Sequence, residues 1–230
     1  MMIKTFLFCR LIIWMTLPII FYSVRCAGQN STLPIKDWKG KQDSCMVLYI
    51  SGDGGFNSFS DSFCSGINRT GINVLAIDAK SYFWKRKTPE QTTTDIEKYI
   101  SAILKRKDQQ FVMIGYSFGA DVTPFIVNRF SPEIKKKLNS VILLSPSPST
   151  DFEVHLNYFL GVDKKLNMDV VKEINMMTLK KKIVLCGEDE DEFPPNGVKL
   201  KNCMVQKLPG GHHYDENMDL LIKRVIQFLK

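Results

Sequence analysis

What the chain lacks narrows its function first. Neither the G-x-x-x-x-G-K-[ST] phosphate loop nor the G-x-G-x-x-G dinucleotide fingerprint occurs, which ranks nucleotide binding low. None of the spacings among its six cysteines matches a zinc site, so no metal is expected, and no other cofactor is implied. Repeats, low-complexity tracts and interdomain linkers are all missing. The 230 residues therefore suit one well-buried domain, with little room for a second. The amino-terminal apolar run, Leu11 to Ser23, is thirteen residues long and contains Pro18, short of the roughly 20 residues that span a bilayer. Strong charge of one sign is lacking too. The formal charge is +7, and the first 26 residues hold Lys4, Arg10 and Arg25 with no acid, so subtracting three leaves +4. That mild excess fits an anionic membrane surface or an anionic substrate and does not by itself suggest nucleic acid.

Lys4 and Arg10 ahead of the apolar run, with a cleavage point near Cys26 or Ala27, read as a signal peptide over residues 1–26. A retained amino-terminal anchor is the other reading, and export follows from either. Arg25 directly before Cys26 argues against a lipid-modified cysteine. The polar stretch 27–43 is a tether or an edge strand, and 44–230 is the domain. In an exported chain Cys45, Cys64, Cys186 and Cys203 can form two disulfides; the pairing expected is Cys45 with Cys64 and Cys186 with Cys203, against free buried thiols.

Short apolar runs recur at helix-sized intervals: Met46 to Ser51, Ile72 to Asp78, Phe111 to Ser117, Val141 to Ser147, Lys182 to Gly187 and, more weakly, Cys203 to Gly210. Continuous runs of this length suit strands buried on both faces, as in a parallel sheet. Between them lie helical signals. Thr88-Pro89-Glu90-Gln91 forms a capping box with proline at the first helical position, and Ile96, Ile100, Ile103 and Leu104 follow on one face. The carboxy-terminal stretch places Leu220, Leu221, Val225, Ile226 and Leu229 on a similar stripe. Strands alternating with helices predict a doubly wound, mostly parallel α/β sheet of about six strands. Residues 148–181 read as a small helical insertion of two amphipathic helices. Its Phe152, Leu156, Phe159, Met176 and Met177 either roof the site or pack the core, with core favoured.

The segment from Phe111 to Asp121 carries the chemistry. A buried strand runs into Gly115-Tyr116-Ser117-Phe118-Gly119, a G-x-S-x-G pentapeptide, and then into a helix start. That is the context of the nucleophile elbow of α/β-hydrolases, where both flanking glycines let strand and helix backbones pass closely. A serine hydroxyl needs a base, and the base needs an acid to orient it, in the chain order Ser, acid, His for this fold. The acid should follow a late strand, and Glu188 to Glu192 are five acids in a row after Gly187. The third residue past that glycine is Glu190, with Asp189 and Asp191 in reserve. Two of the chain's three histidines, His212 and His213, fall in the loop after the last strand. His212 fits better, having Tyr214 two residues on in the Gly-His-x-aromatic pattern. His155, in the insertion, is assigned a surface or packing role. For the oxyanion, the backbone N–H groups of Phe118 and of Asp53, in the Ser51-Gly52-Asp53-Gly54-Gly55 loop, are the matching donors.

Taken together, SGDGGF, DAKSYFWKRKTPE, IGYSFGADVTPF, LLSPSPSTDFEVHL and PGGHHYD resemble the bacterial virulence protein VirJ family, including the carboxy-terminal domain of AcvB, over about residues 44 to 230. The resemblance implies an exported α/β-hydrolase of the periplasm, linked to type IV secretion and virulence. For the AcvB-like members it implies hydrolysis of lysyl-phosphatidylglycerol. Ser117 matches the family serine, His212 the first histidine of its GGHH motif, and Glu190 the glutamate of its late acidic loop. Phe56 stands where the family has tryptophan, and Phe193-Pro194-Pro195 where a cysteine is expected nearby.

Tyr82, Phe83 and Trp84, followed by Lys85, Arg86 and Lys87, suit either peripheral contact with an anionic membrane or a packed aromatic corner with a basic helix cap. Two functions remain open. One is a serine esterase acting on a lipid or small ester, most simply an aminoacyl ester of phosphatidylglycerol. The other is a non-catalytic accessory or adaptor that keeps the fold and meets secretion-system proteins. No nucleic-acid partner is expected.

Overall fold

The computed structural model describes residues 33–154 and 166–229. Strand β1 (Ile35–Trp38) is followed by β2 (Gln42–Ile50), α1 (Ser58–Arg69), β3 (Ile72–Ile77), α2 (Ala79–Tyr82), α3 (Pro89–Ile103) and β4 (Gln110–Tyr116). Next come α4 (Phe118–Arg129), α5 (Pro132–Lys137), β5 (Leu138–Leu144), β6 (Ser149–Thr150), β7 (Met168–Asp169) and α6 (Val170–Asn175). The chain ends with β8 (Lys182–Gly187), β9 (Cys203–Leu208) and α7 (Met218–Leu229). Seven strands form one sheet in the order β1-β3-β2-β4-β5-β8-β9. All neighbours are parallel except β1, which pairs antiparallel with β3 from Ile35 opposite Ile77 to Trp38 opposite Val74.

The six expected strands are all present, and the seventh is the short edge strand β1. Their continuous apolar character has a direct cause. In β4, Phe111 and Met113 face one layer with α3, α4 and α6, while Val112, Ile114 and Tyr116 face the other with α1 and α7. With both faces covered, no position from Phe111 to Tyr116 alternates to water, and each buried Ile, Leu, Val or Phe contributes roughly 1.5–3 kcal/mol. The capping box starts α3 as read from sequence: Gln91 N–H donates to Thr88 Oγ1 at 3.1 Å, and Thr88 N–H to Gln91 Oε1 at 3.0 Å.

Several expectations need correction. In α7 only Leu221 and Val225 are fully buried, because the helix packs at the sheet's rim against α1 and leaves Leu220, Ile226 and Leu229 half-covered. The insertion contains one helix in its second half, α6, and a two-stranded pair, β6 with β7. Residues 152–154 at the start of the first expected helix are bends and coil; Leu156, Phe159 and His155 lie outside the described residues, as does the expected signal segment 1–26. Phe152 and Met177 are core residues, whereas Met176 is exposed. All four described cysteines are free thiols. Cys186 cannot reach Cys203, since Cys203 is in register with Lys182, four residues back along β8 and so roughly 13 Å from Cys186. Cys45 and Cys64 share the same apolar layer without a bond.

Candidate active site

Loops from the carboxyl ends of β2, β4, β5, β8 and β9 converge, where a doubly wound sheet leaves its crevice. Ser117 sits at the turn from β4 into α4 with φ 52° and ψ −123°, a sparsely populated backbone state. Its carbonyl accepts the N–H groups of Ala120 at 2.7 Å and Asp121 at 3.0 Å, which starts the helix immediately. The flanking glycines are sterically required. A Cβ on Gly115 would stand 2.3 Å from the Gly119 carbonyl oxygen, and one on Gly119 would stand 2.2 Å from that of Ile50.

One imidazole bridges Ser117 and Glu190. His212 Nε2 lies 2.9 Å from Ser117 Oγ, and His212 Nδ1 lies 2.6 Å from Glu190 Oε1. With Nδ1–H donating to the carboxylate, Nε2 presents a lone pair to the serine hydroxyl. The bond to Glu190 raises the His212 pKa above its usual value; partial burial acts in the opposite direction and is outweighed. Burial raises the Glu190 pKa, but bonds from His212, the Gly187 N–H and Ser145 outweigh it, leaving the carboxyl below its ordinary value.

Of the five consecutive acids, only Glu190 turns inward. Its side chain is 17% exposed, whereas that of Asp191 is 98% exposed, and Asp189 also faces solvent. His213 turns away from the serine: its Nδ1 pairs with the Tyr116 hydroxyl at 2.6 Å and its ring leans on Phe59. Of the expected oxyanion donors, Phe118 opens α4 directly after Ser117, and Asp53 follows Gly52 in the loop after β2. The loop carrying Asp53 folds as a turn closed by Gly55 N–H on the Gly52 carbonyl at 2.9 Å. It abuts Ser117, because a Cβ on Gly52 would meet the Ser117 Cβ at 3.3 Å. A cavity of about 490 Å³ opens beside Ser117 and His212, lined also by Asp189, Asp191, Glu192 and Phe193. Its solvent-facing rim carries acidic side chains.

Two residues here, Ser145 and Asp121, carry no sequence reading, and a third, Tyr214, carries one only as part of a pattern. Ser145, just past β5, donates to Glu190 Oε2 at 2.8 Å, and its Oγ lies 2.9 Å from the Tyr214 hydroxyl. Tyr214 was visible only as the aromatic of the Gly-His-x-aromatic pattern. Asp121, within the elbow segment, is buried in the first turn of α4 and accepts the Ser147 N–H at 2.6 Å. Burial pushes its pKa up to about 8, with the Ser147 bond and His212 pulling the other way. No sequence signal marks Ser145.

The aromatic corner is mostly interior. Tyr82 and Phe83 are buried, with Phe83 edge-on to both Phe118 and Phe152, and only Trp84 is exposed. Arg86 pairs with Glu153 and Asp151, while Lys87 Nζ lies 4.6 Å from the centre of the Tyr82 ring. Phe56 packs edge-on against Trp38, ring centres 6.3 Å apart.

A parallel sheet with an elbow serine after its third parallel strand in chain order and an imidazole after its last defines the α/β-hydrolase fold. Solved structures agree at the level of fold. The chain is similar to Est1E from Butyrivibrio proteoclasticus, solved with ferulic acid (TM-score 0.59, 16% identity, 86% of this chain and 94% of that one). It is also similar to a lipase-esterase related protein from Clostridium acetobutylicum (TM-score 0.63, 14% identity, 85% and 99%). Naproxen esterase from Bacillus subtilis is a third (TM-score 0.61, 13% identity, 87% and 93%). Within this fold the chain belongs to the bacterial virulence protein (VirJ) family, whose model matches residues 43–230. No curated protein matches it by sequence.

Proposed function

We propose that the protein is an exported serine esterase that hydrolyses an aminoacyl ester of phosphatidylglycerol through an acyl-enzyme on Ser117. The observation that carries this reading is the single imidazole within hydrogen-bond reach of both Ser117 Oγ, at 2.9 Å, and Glu190, at 2.6 Å. His212 Nε2 takes the hydroxyl proton as Oγ attacks the ester carbonyl, and Glu190 steadies the imidazolium that forms. The N–H groups of Phe118 and Asp53 meet the oxyanion. As the carbonyl re-forms, the ester C–O bond breaks and His212 returns the proton to the leaving glycerol oxygen. Water then repeats the sequence in reverse roles and frees Ser117.

The acidic rim of Asp189, Asp191 and Glu192 supports a substrate with a positive charge near the scissile ester, as the ammonium of an aminoacyl group supplies. Exposed Trp84 with Lys85 beside it supports peripheral contact with an anionic headgroup layer. Export to the periplasm rests on the amino-terminal segment. A role as an adaptor for secretion-system proteins is the other reading, and no feature of the site favours it.

A fluorophosphonate probe should label the purified protein at Ser117, and the protein should release free amino acid from lysyl-phosphatidylglycerol in mixed micelles. Ser117→Ala should abolish labelling and lower kcat/KM by about 10⁴-fold or more. Equal turnover by the variant overturns the reading. Loss of the gene should raise the cell's aminoacylated phosphatidylglycerol.

A further inference from the structure

We infer that Ser145 and Tyr214 are positioning residues that dictate which oxygen of Glu190 faces His212 and how strongly that carboxylate holds the imidazolium. The inference rests on the Ser117–His212–Glu190 reading above. Glu190 Oε2 is taken by two donors from its far side, the Ser145 hydroxyl at 2.8 Å and the Gly187 N–H. Oε1 is thereby left for His212 Nδ1. Ser145 is in turn anchored: its Oγ meets the Tyr214 hydroxyl at 2.9 Å, and that hydroxyl lies 2.9 Å from the Leu185 carbonyl oxygen.

Counting protons orders this chain. Ser145 has one hydroxyl hydrogen, and an ionised Glu190 accepts it at Oε2. The 2.9 Å contact between Ser145 and Tyr214 is then a hydrogen bond only if the tyrosine donates to the serine. A serine oxygen that accepts from Tyr214 is a stronger donor to the carboxylate. The alternative arrangement, with Ser145 donating to Tyr214 and Tyr214 to Leu185, leaves Oε2 with the Gly187 N–H alone. The charge on Glu190 draws the Ser145 proton to Oε2, and the single Tyr214 proton is then shared between the Ser145 oxygen and the Leu185 carbonyl, both 2.9 Å away.

Burial and backbone point the same way. Ser145 is 1% exposed and Tyr214 is 2% exposed, so neither hydroxyl is placed there for solubility. Ser145 holds φ 48° and Tyr214 φ 53°, in the left-handed region where glycine is the default. A glycine after β5 would make the turn without strain, so the serine there is accounted for by its hydroxyl.

The test measures pH profiles of kcat and KM on a soluble activated ester, alone and in the Glu190→Gln background. Ser145→Gly removes the hydroxyl and relaxes the backbone. It should lower kcat about tenfold to a hundredfold, leave KM unchanged, and move the acid limb to higher pH, because a less solvated carboxylate holds the imidazolium proton more tightly. In the Glu190→Gln background the same change should cost less than about twofold. Tyr214→Phe, which keeps the ring and lets Ser145 still donate, should show a smaller shift in the same direction. It carries the test if Ser145→Gly fails to fold. An unmoved acid limb, or an equal loss with and without Glu190, overturns the inference. Ser117→Ala measured alongside separates the failures. If Ser117→Ala is inactive while the positioning variants match wild type, only the inference falls; if Ser117→Ala matches wild type, both fall.

Discussion

Replacing Asp121 by asparagine should stabilise the protein at pH 8 and leave it unchanged at pH 4. Asp121 is 5% exposed, in the first turn of α4, and burial holds its pKa up to about 8 against an ordinary 3.8. The native carboxyl therefore keeps its proton through the interval in which the unfolded chain releases it. The folded state binds more protons than the unfolded state between about pH 4 and pH 8, so stability falls as pH rises across that window. Integrated over the full interval the loss is on the order of 5 kcal/mol, at 1.36 kcal/mol for each tenfold change in proton affinity. The amino-terminal end of α4 favours the anion by at most about 2 kcal/mol, too little to reverse the sign. Asparagine has the same shape, its amide oxygen can still accept the Ser147 N–H, and it cannot ionise. Urea unfolding followed by tryptophan fluorescence at pH 4.5, 6, 7 and 8 should show a gap in favour of Asp121→Asn that widens with pH. A constant gap, or a variant less stable at pH 8, refutes the assigned protonation state.

Other consequences can be measured directly. Gly119→Ala should destabilise by about 3 kcal/mol or more in denaturant titration, because its Cβ meets the backbone oxygens of Ile50 at 2.2 Å and Ser51 at 2.6 Å, which cannot swing aside. Gly211→Ala, with nothing within 4 Å of the added carbon, is the control and should change stability by less than about 0.5 kcal/mol. The acid limb of kcat/KM should lie above pH 6.5, since the base must be neutral and Glu190 raises the His212 pKa; Glu190→Gln should move the limb down and cut kcat by about 10⁴-fold. Trp84→Ala combined with Lys85→Glu should weaken sedimentation with phosphatidylglycerol vesicles by about tenfold and leave turnover of a soluble ester unchanged.

The features legible in the sequence are those whose cause is local. The apolar strands show because both faces of the sheet are covered, and the α3 capping box because its two bonds join residues three apart. The elbow shows because tight backbone approach leaves only glycine at Gly115 and Gly119. Strand β1 was harder to separate from a tether. Its four residues IKDW include two exposed charges, and it exists only through its register with β3. Tyr82 and Phe83 were ambiguous because an aromatic run does not reveal which side it packs on. The Cys186–Cys203 pairing failed on strand register, which sequence spacing does not contain.

The polar chain behind His212 was illegible for a deeper reason. Ser145 meets Glu190 across 45 residues and Tyr214 across 69, so no local pattern links them. Their backbone state is equally hidden, since serine and tyrosine carry no signature of a left-handed turn. Yet the described non-glycine residues with positive φ are Ser117, Ser145, Tyr214, Asp215 and Glu216. The first is the proposed nucleophile, the next two bond around Glu190, and the last two turn the chain out of the histidine loop. Backbone strain of this kind costs on the order of 1–3 kcal/mol at each position and persists only where the surroundings over-determine it. Around Ser117, Ser145 and Tyr214 those surroundings include the bonds that join them to His212 and Glu190. The same contacts that would set the chemistry are therefore what hold the strained turns in place, and loosening Ser145 should disturb both at once.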